Sequence, residues 1–348
     1  MGENRPCNSS LIKKIVQRIL IIQTAFIGDV VLATALIEKL HTHYPDAAID
    51  FLLRKGNEDL LAGHPYLHKV LIWDKKKGKW SSLKQLIKQV RRTKYDAVIN
   101  VQRFFATGLL TAFSGASMKI GFNKNPLSFL FTKKIKHHIG NSNRYLHETE
   151  RNQLLIEELT DNVPAKPKLY PGTAEYESIK PLQLQPYIVI APGSVWFTKQ
   201  YPESKWIDFI NKISSSLQAF LIGGPADEAL CSRIQSACPG KPVQNLCGKL
   251  SYLQSAALMK AALMNYVNDS APLHFASAMN APLTAVFCST LPSFGYGPLS
   301  EMQHIIEVQS ALACRPCGLH GKRNCPKGHF HCAELIRDEQ LLATLPHT

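Results

Sequence analysis

Acidic residues are in short supply in this 348-residue sequence: 26 Asp and Glu stand against 40 Lys and Arg, a formal net charge of +14. Such a balance favours anionic partners, whether nucleic acid, a membrane surface or a phosphorylated substrate. The motifs that would select nucleic acid are missing, since no helix-turn-helix, RNP or zinc-finger helix accompanies the charge, and no specific nucleic-acid partner is expected. The apolar stretch Ile19–Ile22 is far too short to cross a bilayer and reads as a buried strand. The N-terminus lacks an apolar segment followed by a small-residue cleavage site, so a cytoplasmic location is expected. An even cysteine framework is lacking too: nine cysteines fit a reducing compartment better than a disulfide scaffold. A NAD-dependent dehydrogenase would carry Gly-x-Gly-x-x-Gly after its first strand, and that loop here reads Thr24-Ala25-Phe26-Ile27-Gly28-Asp29. Low-complexity sequence is confined to the charge run Lys75–Lys79, read as a solvated loop.

What remains is the composition of a globular chain, too long for one hydrophobic core and therefore expected to form two domains. Short β-rich runs (Arg18–Gln23, Ile49–Leu53, Val70–Trp73, Ala97–Val101) alternate with stretches of helical spacing (Val30–His43, Ser81–Arg92). This is the pattern of a parallel sheet covered by helices. Around Asp161–Pro186 prolines accumulate and periodic apolar residues thin out, a linker signature. Alternation then resumes with strands at Tyr187–Ala191, Ala219–Gly223, Asn265–Asn268 and Leu283–Phe287. Helices are expected near Glu203–Ser215, Ala226–Cys238, Leu253–Ala262 and Pro272–Met279. The fold class is α/β, with two Rossmann-like domains at 1–165 and 187–348, a linker at 166–186, and a cleft between the domains. Ligands of such sheets bind beyond the carboxyl ends of the strands, which directs attention to four loops.

In the first, Gly28 permits a tight backbone and Asp29 stands at a helix start, as an N-cap, as a base for an acceptor hydroxyl, or as both. The second, Ala191-Pro192-Gly193-Ser194 followed by Trp196, Thr198 and Lys199, is suited to phosphate through backbone N–H groups and one point charge. The third, Gly223-Gly224-Pro225-Ala226-Asp227-Glu228, puts two carboxylates on a first turn, where they complement the helix dipole or accept ribose hydroxyls. The fourth, Asn268-Asp269-Ser270-Ala271-Pro272-Leu273-His274, follows an apolar strand and opens a helix with a first-turn proline, leaving N–H donors near Ser270 and Ala271 for a diphosphate.

In this order and spacing, the Ile-Gly-Asp segment, the Pro-Gly-Ser…Lys loop and the Asp-Ser-Ala-x-x-His element resemble family 9 glycosyltransferases of the heptosyltransferase type, from about Arg18 to about Cys332. The resemblance implies a GT-B arrangement with an acceptor-binding first domain and a nucleotide-sugar-binding second domain. It implies metal-independent, inverting transfer of heptose from ADP-L-glycero-β-D-manno-heptose to the inner core of lipopolysaccharide. By the same likeness Asp29 is the base, Lys199 contacts the donor diphosphate, and Glu228 is the ribose-binding acid. Gly193, Ser194, Asp269, Ser270, Ala271 and His274 complete the donor site. The commoner family wording is Asp-Thr-Gly where this chain has Asp269-Ser270-Ala271, so a methyl replaces a hydrogen near the donor. An anionic glycolipid acceptor calls for cations, with Arg54, Lys55, Arg103 and Arg144 as candidates, and for peripheral contact with the anionic inner face of the membrane.

Cys314, Cys317, Cys325 and Cys332 fall within nineteen residues. The Cys314-x-x-Cys317 spacing suits half of a tetrahedral zinc site, while the second pair is less regular, so structural zinc, buried free thiols and a disulfide all stay open. Two other functions remain in view: a family 9 enzyme for another nucleotide sugar, and a noncatalytic, zinc-stabilised basic protein that binds nucleic acid or lipid.

Overall fold

The computed structural model describes residues 16–141 and 144–346; Cys7 and the N-terminal segment lie outside them, and of Arg144 only the backbone is described. Two six-stranded sheets make the framework. The first holds β1 (Arg18–Ile22), β2 (Ala48–Arg54), β3 (Lys69–Trp73), β4 (Ala97–Asn100), β5 (Met118–Phe122) and β6 (Lys133–Ile135), ordered β3-β2-β1-β4-β5-β6 and parallel throughout. A small antiparallel pair follows, β7 (Gly140–Asn141) and β8 (Arg144–Tyr145). The second large sheet holds β9 (Tyr187–Ala191), β10 (Gln218–Leu221), β11 (Val243–Asn245), β12 (Met264–Asn268), β13 (Leu283–Phe287) and β14 (Gln303–Glu307). Its order, β11-β10-β9-β12-β13-β14, repeats the first, again all parallel.

The helices that matter below are α1 (Ile27–His43), α2 (Lys79–Thr93), α3 (Phe105–Ala112), α4 (Glu148–Gln153), α5 (Thr173–Ile179), α6 (Glu203–Lys212), α7 (Glu228–Ser236), α8 (Tyr252–Ala261) and α9 (Ala271–Met279). Period-two alternation sorts each central strand between two cores, because successive side chains leave a strand on opposite faces. Ile19 and Ile21 of β1 join a cluster with α1, whereas Leu20 and Ile22 join one with Leu83, Leu86 and Val90 of α2. In β9, Tyr187, Val189 and Ala191 face the first cluster, and Ile188 and Ile190 face Trp206 and Phe209 of α6. The α1 cluster also takes in Leu273, Phe275 and Ala276 of α9, so one apolar core is continuous between the two sheets.

The proline-bearing segment 166–186 is more structured than a linker reading implies. It contains α5, buries Leu169 and Ile179, and is tied to α1 by Lys168 N–H donating to Thr34 Oγ1 (2.9 Å) and Tyr170 Oη–H donating to Glu38 (2.8 Å). Its apolar contacts are few and widely spaced, which is why periodicity did not disclose them. The helix expected from Ala226 begins as a 3-10 turn, Pro225–Asp227, before α7.

Candidate active site

In each sheet the chain order reverses beside its first strand, between β1 and β4 and between β9 and β12. Loops leaving such neighbours at their carboxyl ends diverge and open a crevice. The loops after these four strands supply most of the wall of one cavity of about 740 Å³ between the lobes. Asp29, Ser194, Lys199, Asp269, Ser270, Ala271 and His274 all line it. The structure therefore brings together residues that lie far apart in sequence.

Asp29 is not the N-cap of α1. That position belongs to Phe26, and Asp29 is the third helical residue, near enough to the Phe26 backbone N–H for that dipole to favour its ionised form. Burial and the neighbouring Glu148 carboxylate push its pKa up from 3.8 to about 6, against the opposing pull of Phe26 N–H, Arg103 and Lys199. A carboxyl group tuned in this way is a proton acceptor suited to near-neutral pH.

The start of α1 touches the start of α9. A Cβ on Gly28 would lie 2.8 Å from His274 Cδ2 and 3.7 Å from Ala271 Cα, so only glycine permits this approach. Two positive helix ends thus converge on the cavity. His274 is buried and its pKa is driven down to about 3 by desolvation, then by His147 and Lys199, so the ring is neutral across the physiological range. Its Nδ1 is buried without a partner.

The second-lobe wall is held by specific bonds. Lys199 Nζ lies 2.7 Å from Asp269 Oδ2, which also accepts from Thr290 Oγ1 at 2.6 Å. Asn268 accepts the Tyr201 N–H at 2.9 Å and donates to Pro192 O at 2.7 Å, fixing the loop after β9 to the end of β12. Ser270 is the N-cap of α9 but makes no capping bond with its side chain, and Ala271 and Pro272 open the helix. Pro272 carries no N–H and the Leu273 N–H donates to Ser270 O at 3.1 Å, so the donor that first turn offers the cavity is the Ala271 N–H.

Sequence reasoning overlooked Glu148. It lines the cavity from the start of α4, where Arg151, itself buried, grips it with Nε at 2.8 Å and Nη2 at 2.5 Å. Arg151 also donates to Leu146 O and across the lobes to Phe294 O, while His147 Nε2 reaches Gly297 O at 3.1 Å. The clue was present in His147-Glu148-Thr149-Glu150-Arg151, but α4 is too short to show a periodic pattern. Tyr296, His137 and His320 also line the cavity without having been singled out as site residues.

Other expected residues lie elsewhere. Glu228 is exposed, accepts from Ser232 Oγ at 2.8 Å, and does not line the cavity. The carboxylate beside the Gly193 loop is that of Asp227, so close that a side chain at Gly193 would collide with it. Gly193 supports that loop from behind, and Ser194 reaches the cavity. Arg54 and Arg103 line the first-lobe side, but Lys55 is turned to Asp74, 2.9 Å away. Arg144 contributes its backbone to β8, and its side chain lies outside the described residues.

The cysteine cluster gives no ligand set for the possible structural zinc: among the described residues no three His, Cys, Asp or Glu side chains are placed to hold a metal ion. Cys325 lies half-buried at the edge of the second-lobe core, its carbonyl accepting the Gly328 N–H, Cys317 Sγ lies 3.5 Å from Cys314 O, and Cys332 sits in that core with Phe330 and Ile336.

Two Rossmann-like lobes, with a raised-pKa carboxylate facing a lysine and a helix start across one cavity, define a GT-B type α/β enzyme. The chain matches the model of glycosyltransferase family 9 (heptosyltransferase) over residues 83–327, and it belongs to that family. It is 30% identical over 276 residues to lipopolysaccharide heptosyltransferase 3 of Escherichia coli K12, covering 76% of this chain and 80% of that one. The solved structure of E. coli ADP-heptose lps heptosyltransferase II superposes with a TM-score of 0.77 at 21% identity, covering 94% of this chain and 98% of the other. A family 9 glycosyltransferase from Veillonella parvula DSM 2008 gives 0.80 at 19% identity over 94% and 95%. The protein is thus a glycosyltransferase.

Proposed function

We propose that this enzyme transfers heptose from ADP-L-glycero-β-D-manno-heptose to the inner core of lipopolysaccharide, with inversion. The observation that carries the reading is the placement of Asp29 and of the Lys199, Ser270 and Ala271 group on opposite lobes of one cavity. On this reading the diphosphate lies against the start of α9, where the Ala271 N–H and the helix dipole favour negative charge. Lys199, aligned by Asp269, meets the charge that develops as ADP leaves. Asp29 takes the acceptor hydroxyl proton as the new glycosidic bond forms, and Glu148 keeps that carboxylate basic enough for the task. Neutral His274 wedges the two helix starts together. Arg54 and Arg103 face the acceptor side, which suits a carboxylate- and phosphate-bearing glycolipid. The likeness to E. coli ADP-heptose lps heptosyltransferase II supports the choice of donor, and the likeness to lipopolysaccharide heptosyltransferase 3 supports the choice of acceptor.

With charge neutralisation assigned to Lys199 and α9, transfer is expected to persist in excess chelator. The deciding experiment offers the purified enzyme a panel of nucleotide sugars and a lipopolysaccharide core acceptor. Turnover with ADP-heptose above all other donors supports the reading. Preference for another sugar would keep the family and overturn the donor, and failure to bind any nucleotide would favour a noncatalytic binding protein.

A further inference from the structure

Exposed aromatic side chains in the first lobe are unevenly distributed. Phe104, Phe105, Trp80 and Phe129 are 64%, 47%, 57% and 68% exposed. All four lie in or just beyond loops that leave β3, β4 and β5, and because the sheet is parallel those loops emerge at the same edge. The edge is the one that bears the cavity, since Phe104 lines it. Trp80 meets Phe105 edge-on with ring centroids 6.5 Å apart, joining the loop after β3 to the start of α3. Asn125 donates to both Gln102 O and Phe104 O, stitching the loop that bears Phe129 to the loop that bears Phe104.

The same loops carry Lys76, Lys77, Lys79, Arg103 and Lys124, all exposed. Lys79 Nζ stands 5.2 Å above the Trp80 ring. Asp74, the acid among them, is engaged by Lys55. The result is a rim of large apolar rings interspersed with uncompensated positive charge, beside the mouth of a catalytic cavity.

We propose that this rim docks on an anionic lipid bilayer, with Trp80 and Phe105 entering the headgroup layer and Lys76, Lys77 and Lys79 meeting lipid phosphates. Aromatic rings partition to the membrane interface, and lysines near an anionic surface add favourable electrostatics. No helix among the described residues is long and apolar enough to cross a membrane, and the contact proposed is with the bilayer surface. The choice of lipid over other anions rests on the proposed glycolipid acceptor. A bilayer gripped at the rim would present the acceptor headgroup to Arg54, Arg103 and Asp29 without extracting its acyl chains.

The test is flotation of the full chain with phosphatidylcholine vesicles, with and without phosphatidylglycerol, at rising salt. Binding is expected only with the anionic lipid and is expected to weaken with salt. At about fivefold per lysine, K76Q/K77Q/K79Q should lose about a hundredfold in vesicle affinity, and W80A/F105A about tenfold. Both variants remove exposed side chains outside the cavity, so turnover with a deacylated, water-soluble acceptor should stay at the wild-type level. Turnover with acceptor embedded in anionic vesicles should fall. Wild-type binding that ignores lipid charge, or variants that float like wild type, would overturn the proposal. So would a change confined to oligomer size in light scattering, which would make the rim a self-association face, or displacement from vesicles by a single-stranded oligonucleotide that the aromatic variant no longer binds. Loss of wild-type turnover with the soluble acceptor would instead strike the transferase reading and leave vesicle binding as measured.

Discussion

Asp29 is held in two environments at once. Its place at the start of α1 favours the ionised form through Phe26 N–H, while burial and Glu148 favour the protonated form, and the balance sets its pKa at about 6. A base must be deprotonated to act, so kcat/KM should fall as pH drops through about 6. Glu148→Gln, which removes the like charge, should move that acid limb to lower pH, and a limb that does not move would separate Glu148 from Asp29. The same shift has a thermodynamic face. Because the folded-state pKa lies above the ordinary 3.8, the native state binds more protons between 3.8 and about 6, and stability is lost as pH rises through that window. Asp29→Asn should therefore raise Tm at pH 7 and not at pH 3, with a ceiling of about 3 kcal/mol. Matched scans at both pH values check this. Sequence showed that an acid follows Gly28. It did not show the third-position geometry or the neighbouring carboxylate, because Glu148 is more than a hundred residues away in the chain. Glu228 shows the opposite limit, since adjacent Asp227 and Glu228 leave a 3-10 turn in different directions and only the backbone path decides which approaches Gly193.

The site exists because α1 and α9 meet end against end. Gly28 is the point of closest approach, and Gly28→Ala would drive a methyl to 2.8 Å from His274 Cδ2. Overpacking of this kind costs about 1–3 kcal/mol. The expected result is a lower Tm together with a lower kcat, as the base is displaced from the diphosphate site; unchanged kcat would show that the two helix starts need not touch. Strands of the two sheet centres were legible from their apolar runs, and β9 and β13 begin and end where the sequence placed them. Those overlooked lie toward the outside, such as β6 and β11, three residues each, and β14, with three of its five residues exposed. Short strands with little burial carry no clear alternation.

At the scale of the whole molecule, two sheets of identical order share an apolar core, and the segment between them is bonded to α1 through Lys168 and Tyr170. Strand–helix alternation revealed two lobes but gave no sign of that shared core, since a residue's partner across the lobes is not encoded in local periodicity. A continuous core couples the two halves, so unfolding should be a single calorimetric transition whose calorimetric and van't Hoff enthalpies agree. Two resolved transitions would show that the lobes melt separately.

The most direct test of the central claim pairs two measurements on Asp29→Asn: calorimetric affinity for ADP and the rate of sugar transfer. With the nucleotide held by the second lobe and the base supplied by the first, ADP affinity should match the wild type while transfer falls about a hundred- to ten-thousand-fold. Retained transfer, or loss of ADP binding in step with activity, would contradict the division of labour across the cavity.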